Sequence, residues 1–167
     1  MKKGVFYSVV ACLFVIYSCT SYQDKQYGPV SFSTEFEQGD DFLIGNAEAI
    51  AVIDFKPEEF GFSKESVGGM RLSSINLSLD EEADFGIFES IKIEVSSDET
   101  EMLTIGVLND VPAENTIVIE GLEKAKIKKF NKVDEFYLHI SGNLKDNYES
   151  SLGIFGEFTL LVESADE

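Results

Sequence analysis

Two groups of side chains in this sequence have the types and spacing that a ligand site needs. Exposed aromatic rings can stack on sugars, and carboxylates from one compact loop are the ligands that Ca²⁺ prefers. The aromatic group comprises Phe60, Phe62, Phe85 and Phe88. The acidic group comprises Asp80, Glu82 and Asp84. Both lie near predicted turns, so we take the first as a candidate ligand patch and the second as candidate metal ligands.

Each group also has a simpler interpretation. If Asp80 took the first position of an EF-hand loop, Phe85 would stand where glycine is needed and Ile91 where the bidentate glutamate belongs. The EF-hand is therefore excluded, which leaves either another calcium geometry or a solvated loop. Phenylalanine is mostly a core residue, so the simpler interpretation places the four rings inside the protein.

The sequence offers little for catalysis. His139 is the only histidine, and zinc sites need three or four ligands. A serine–histidine–acid site would need His139 as its base, and no GxSxG elbow accompanies any serine. No GxxxxGK[ST] phosphate loop is present either. We therefore expect a protein that is not an enzyme and has no cofactor other than, at most, Ca²⁺.

The N-terminus has the pattern of a secretion signal. Lys2 and Lys3 precede an apolar run from Val5 to Tyr17, about thirteen residues, which is too short to cross about 30 Å of hydrocarbon. The run ends in Ile-Tyr-Ser-Cys, which resembles the lipobox of bacterial lipoproteins. The resemblance implies cleavage before Cys19 and a lipid on Cys19. It also implies a location in the cell envelope, at the outer membrane, where the domain could face either the periplasm or the cell surface.

The charge and the cysteine content of the chain limit its binding partners and its covalent cross-links. The chain carries 13 basic and 31 acidic side chains, a net charge of −18. Nucleic acids are bound by neutralising phosphates with Lys and Arg, so we expect no nucleic-acid partner. Because Cys12 leaves with the signal peptide and Cys19 is lipidated, no intramolecular disulfide can form. We expect a signal peptide over 1–18, a lipidated cysteine and polar tether over 19–29, and one domain over 30–167.

Apolar residues recur with a period of two in that domain, as in strands with one buried face. The apolar positions cluster at Val30–Thr34, Ala49–Phe55, Ile75–Leu79, Ile91–Val95, Leu103–Val107, Ile117–Ile119, Phe136–Ile140 and Phe158–Val162. Short strands separated by turn signals favour an antiparallel sandwich. We predict an all-β fold, a two-sheet immunoglobulin-like sandwich of seven or eight strands with at most one short helix.

The segment 122–133 fits two interpretations. Its spacing of Ile127, Phe130 and Val133 favours one or two helical turns, whereas the alternation of its lysines is typical of an edge strand. The stretch from Phe85 to Gly142 looks like small sandwich lipoproteins common in the Bacteroidetes, and that resemblance implies the fold without an activity. We expect a lipid-anchored domain that acts in binding or protein interaction without catalysis. The alternative is a calcium-dependent or glycan-binding surface module, and a hydrolase is the less favoured alternative.

Overall fold

The computed structural model describes residues 22–36, 45–61, 63–80, 83–128, 133–146 and 151–165 of the 167-residue chain. The predicted signal peptide and Cys19 lie outside these ranges. Eight strands fill most of them: β1 Tyr22–Phe36, β2 Asn46–Asp54, β3 Val67–Leu79, β4 Phe88–Ser97, β5 Thr100–Asn109, β6 Thr116–Glu120, β7 Glu135–Leu144 and β8 Leu152–Ala165. Three short 3-10 turns connect them: Pro57–Phe60, Lys64–Ser66 and Phe85–Ile87.

The strands pair as a ribbon folded back on itself. β4 pairs with β5, β3 with β6, β2 with β7 and β1 with β8, all antiparallel. Rolling this ribbon brings β8 beside β3 and β7 beside β4. The result is a front sheet with the order β1-β8-β3-β6 and a back sheet with the order β2-β7-β4-β5.

This architecture confirms the predicted all-β two-sheet sandwich. The strand order refines the immunoglobulin-like expectation, because immunoglobulin domains place strands A, B, E and D in one sheet and C, F and G in the other. Two sheets of four strands, in which every strand pairs with its counterpart from the opposite half of the chain, form a jelly roll.

The core lies between the two sheets and follows the predicted alternation. In β2, Ala47, Ala49, Ala51 and Ile53 are buried while the residues between them are exposed. The same parity buries Ile154, Phe158, Leu160 and Val162 of β8. Within the described ranges, no helix is long and apolar enough to cross a membrane.

The two sheets are joined along both sides of the sandwich. On one side, Thr34 of β1 donates a hydrogen bond to the backbone oxygen of Ile50, at 2.8 Å, on the outer edge of β2. On the other side, the backbone N–H of Leu122, just after β6, donates to the oxygen of Ile105 in β5 at 2.8 Å. These contacts satisfy backbone groups that an open sheet edge would leave unpaired.

The expectation of a tether over 19–29 is wrong from Tyr22 onward. β1 begins at Tyr22 and its first residues pair with the end of β8. Tyr27 is 1% exposed, and Asp24 forms a 2.6 Å ion pair with Arg71 of β3. The polar sequence hid this strand because its fold comes from backbone pairing with β8, while most of its side chains face solvent.

The helical interpretation of 122–133 is also wrong over the described residues 122–128. There the chain makes a turn and then a two-bond bridge, in which Met70 and Ile127 exchange N–H···O bonds of 2.9 and 2.7 Å. Lys126 forms an ion pair with Glu163 of β8. The segment thus runs as a short edge piece beside β3, and residues 129–132 lie outside the described ranges.

Candidate functional site

An aromatic ring lies on the outer surface of the front sheet, on an interior strand and near one end of the sheet. Phe155 of β8 is 52% exposed, although β8 is an interior strand with β1 on one side and β3 on the other. Its neighbours Ile154 and Phe158 point inward and are buried. The alternation along β8 therefore places Phe155 and Glu157 on the solvent side.

Hydroxyl groups flank Phe155 across the sheet. Ser33 of β1 and Ser78 of β3 are its direct cross-strand partners, and Thr116 of β6 pairs with Ser78 in turn. Residues directly opposite each other in antiparallel strands share a face, with Cβ atoms about 4.5–5.5 Å apart. Phe155 is thus the one aromatic member of a row of small hydroxyl side chains.

The adjacent row supplies stronger hydrogen-bonding groups. Glu157 lies between Ser31 and Asn76, and Asn76 pairs with Val118 of β6. The Ser31 hydroxyl donates to Glu157 Oε1 at 3.1 Å. Together, the two rows form what we call the Phe155 face: Ser31, Ser33, Asn76, Ser78, Thr116, Val118, Phe155 and Glu157.

A second carboxylate lies on the other side of Phe155. Gly153 leaves a gap in the outer face, and a Cβ there would lie 2.6 Å from Asp80 Oδ2. The Asp80 carboxylate therefore lies over the glycine. Its loop is held by Asn115, whose amide donates to three backbone oxygens, those of Leu79, Asp80 and Ala83, at 2.9–3.0 Å.

This arrangement can bind a ligand that has both an apolar face and many hydroxyl groups. The exposed ring offers a stacking surface. The serine, threonine and asparagine side chains donate and accept hydrogen bonds, and the carboxylates accept them. A sugar ring has that combination of C–H faces and hydroxyl edges.

The outer surface of the back sheet carries a different arrangement, centred on His139. Its Nε2 lies 2.9 Å from Ser96 Oγ, and its Nδ1 lies 3.3 Å from Glu48 Oε1. The order serine–histidine–acid matches a catalytic triad, but acyl transfer also needs preorganised donors for the oxyanion. Ser96 and His139 lie on the interior strands β4 and β7, whose backbones pair with neighbouring strands. We interpret the network as structural.

Glu94, which pairs with His139 across the strands, is also held in place by hydrogen bonds. It accepts hydrogen bonds from Lys92 and from Thr104, both at 2.8 Å, and its side chain is only 14% exposed. Burial alone raises the pKa of Glu94, but the bonds from Lys92 and Thr104 outweigh that effect and leave its pKa below the usual value near 4.5. Glu94 therefore stays ionised.

The predicted aromatic patch is wrong for Phe85 and Phe88. Both are completely buried, and Phe88 packs on Phe36 with ring centroids 5.1 Å apart. They precede and begin β4, where the chain turns into the core. Phe60 is partly buried against Tyr27, with centroids 4.4 Å apart, and Phe62 lies outside the described residues.

The acidic group is not brought together as a metal site among the described residues. The Asp84 carboxylate accepts a 2.7 Å hydrogen bond from the backbone N–H of Gly86, which caps the 3-10 turn at Phe85. Asp80 instead lies over Gly153. No cluster of three or more metal-ligating side chains occurs within the described ranges, and Glu82 lies outside them.

Sequence reasoning missed Phe155 although the signal was present. In the segment LGIFGEFTLLV, residues 152–162, the predicted strand covered only Phe158, Leu160 and Val162. Extending that alternation backward buries Ile154 and exposes Phe155 with Glu157. The signal for such a site is a large aromatic residue at a strand position that the alternation assigns to the solvent-facing side.

Comparison with known proteins gives only distant likenesses. No family model matches, and no curated protein matches. Among solved structures, a family 29 carbohydrate-binding module matches with a TM-score of 0.32 and 11% identity, over 84% of this chain and 81% of that chain. The Desmodium yellow mottle tymovirus structure matches with a TM-score of 0.29 and 9% identity, over 99% and 97%. The jelly-roll assignment rests on this chain's own strand order and registers.

Proposed function

We propose that this domain is a non-catalytic carbohydrate-binding module whose ligand lies on the Phe155 face. The observation that carries the proposal is the half-exposed ring of Phe155 on an interior strand of the front sheet, with hydroxyl, amide and carboxylate side chains on either side of it. An exposed ring costs free energy in water, and an exposed apolar side chain surrounded by polar ones is a candidate interface anchor.

The polar surroundings of the ring favour a sugar over a protein partner. The core of a protein interface is typically apolar and well packed. Around Phe155 the direct neighbours are Ser33 and Ser78, and the next row carries Asn76 and Glu157. Among the members of the Phe155 face, Val118 is the only other large apolar side chain that is exposed, at 55%. Many hydrogen-bonding groups around one ring suit a hydroxylated ligand better.

The second part of the proposal concerns location. The lipobox-like sequence ending in Cys19 supports a lipid anchor in the cell envelope, at the outer membrane. Because β1 begins at Tyr22, only Thr20 and Ser21 would separate the lipidated cysteine from the first strand. The domain would then be held close to the membrane surface. Cys19→Ala should release the protein from the membrane fraction, and unchanged fractionation and processing would contradict the anchor.

The binding proposal is tested with residues 20–167, which include all eight strands. Thermal unfolding is followed with a panel of neutral oligosaccharides derived from cellulose, xylan, mannan and chitin, and with Ca²⁺ alone. A ligand at about 100 times its Kd stabilises the folded state by about 2.7 kcal/mol. A rise in Tm with at least one sugar supports the proposal. No shift with any sugar, together with binding to an envelope protein, would make the domain a protein-interaction module instead.

A further inference from the structure

Resting on the proposed function, we infer that the Phe155 face selects uncharged glycan chains and rejects chains that carry carboxylate or sulfate groups. The inference concerns the charges around the ring. Glu157 lies two residues along β8 from Phe155 on the same face, and Asp80 lies over Gly153, two residues in the other direction. Any sugar stacked on the ring therefore lies between two carboxylates.

No positive charge offsets them in this part of the sheet. The row that holds Gly153 has Glu35 opposite on β1, and the row beyond Glu157 has Glu120 of β6 opposite Ser74. None of the side chains in the rows from Gly153 to Thr159 is Lys or Arg. Two cations further along the sheet, Arg71 and Lys126, are each paired with an acid, Asp24 and Glu163. Lys56 lines a groove together with Ser31 and Ser33 at the β1 edge, and its ammonium lies 2.8 Å from the Asp54 carboxylate.

The magnitude of this repulsion is modest but measurable. Successive same-face residues on a strand are about 6.6 Å apart. At that distance, one exposed like-charge pair in water costs a factor of about two to three in affinity. Two carboxylates on opposite sides of the ring should therefore weaken the binding of a charged chain about fivefold to tenfold at low salt. The effect should shrink as salt shortens the Debye length.

The shape of the face further indicates that the ligand is the interior of a chain. The hydroxyl row from Ser33 through Phe155 and Ser78 to Thr116 crosses all four strands, a distance of about 14 Å. The row runs from one edge of the sheet to the other, and β1 and β6 are the edge strands. A linear polysaccharide can lie along this row and continue past both edges.

The experiment uses a matched pair of ligands. The neutral polysaccharide that binds best in the panel is compared with the same polysaccharide after partial oxidation of its primary hydroxyl groups to carboxylates. If the best ligand is a xylan, whose xylose units have no primary hydroxyl group, the charged partner is the same chain with glucuronic acid side groups. Affinities are measured by isothermal titration calorimetry at low and high salt, for the wild type and for the double variant D80N/E157Q. The amides keep hydrogen-bonding capacity and remove both charges.

We expect the wild type to bind the oxidised chain about fivefold to tenfold more weakly than the neutral chain at low salt, and the double variant to lose most of that difference. Equal affinity of the wild type for both chains at low salt would overturn the inference and leave the carbohydrate-binding proposal intact. Tighter binding of the oxidised chain would also overturn it. A double variant that discriminates as the wild type does would show that the two carboxylates are not the cause. Failure of every neutral chain to bind would contradict the proposed function itself.

Discussion

The ring of Phe32 lies directly against Gly156, on the inner side of β8, where any Cβ would overlap the ring. Gly156 is the residue next to Phe155, so the close packing of Phe32 inside and the exposure of Phe155 outside belong to the same short stretch of strand. Gly156→Ala should destabilise the protein by about 1–3 kcal/mol, as overpacking of a core does. Urea unfolding measures it.

Gly153→Ala is the matched control on the same strand. The new methyl group there would meet the end of the Asp80 side chain, which is exposed and can rotate away. We expect a change in unfolding free energy of less than about 1 kcal/mol. Equal destabilisation by the two substitutions would mean that Phe32 does not pack on β8 as described.

The start of the domain gives a second prediction. Tyr27 donates a hydrogen bond to the Asp54 oxygen at 3.3 Å and accepts one from the Lys56 N–H at 3.2 Å, and its burial raises the pKa of its hydroxyl, which therefore stays protonated. Removal of residues up to Pro29, the predicted tether, would delete this side chain and half of β1.

A chain that begins at Val30 should therefore unfold at a much lower denaturant concentration than one that begins at Thr20. Tyr27→Phe, which keeps the ring and removes only the hydroxyl, should cost about 0.5–1.5 kcal/mol. Equal stability of the two chain lengths would show that residues 22–29 are a tether after all.

Glu94 gives a prediction about acid stability. Its pKa is lower in the folded state, so the stabilisation it provides is fully present above its usual pKa near 4.5 and is lost as the pH falls through its folded value. The difference in unfolding free energy between the wild type and Glu94→Gln should therefore shrink as the pH is lowered from about 6 to about 3.5. A difference that stays constant or grows toward acid would contradict the ion pair with Lys92.

The strands could be predicted because one face of each is apolar. The alternation around Ile75, Ile91 and Phe136 is visible without any structure. Each of the eight predicted runs coincides with one of the eight strands, and only Phe55, the last residue of the second run, lies just beyond its strand. The start of β1 could not be predicted in this way, since its pairing with β8 uses backbone groups that the side-chain pattern does not reveal. The order of the strands in the two sheets could not be predicted either. It depends on pairing between distant parts of the chain, and the local alternation of apolar residues does not encode that pairing.

The residues of the candidate site were not predicted from the sequence. An aromatic surface was expected, yet Phe85 and Phe88 are buried because the turn before β4 bends into the core. Asp80 was predicted as a candidate metal ligand, and its carboxylate lies instead over Gly153, two residues along β8 from Phe155. Only the cross-strand register brings Ser33, Phe155 and Ser78 from distant parts of the chain into one row.

The most direct test of the account is the glycan affinity of Phe155→Ala. Val52→Ala is the matched control, because Val52 is an apolar side chain of similar exposure, 58%, on the opposite sheet. Truncation of a central aromatic anchor costs on the order of 2 kcal/mol, so calorimetry should show at least about a tenfold loss of affinity for Phe155→Ala, with an unchanged Tm, and no loss for Val52→Ala. Undiminished binding by a folded Phe155→Ala variant would contradict the account.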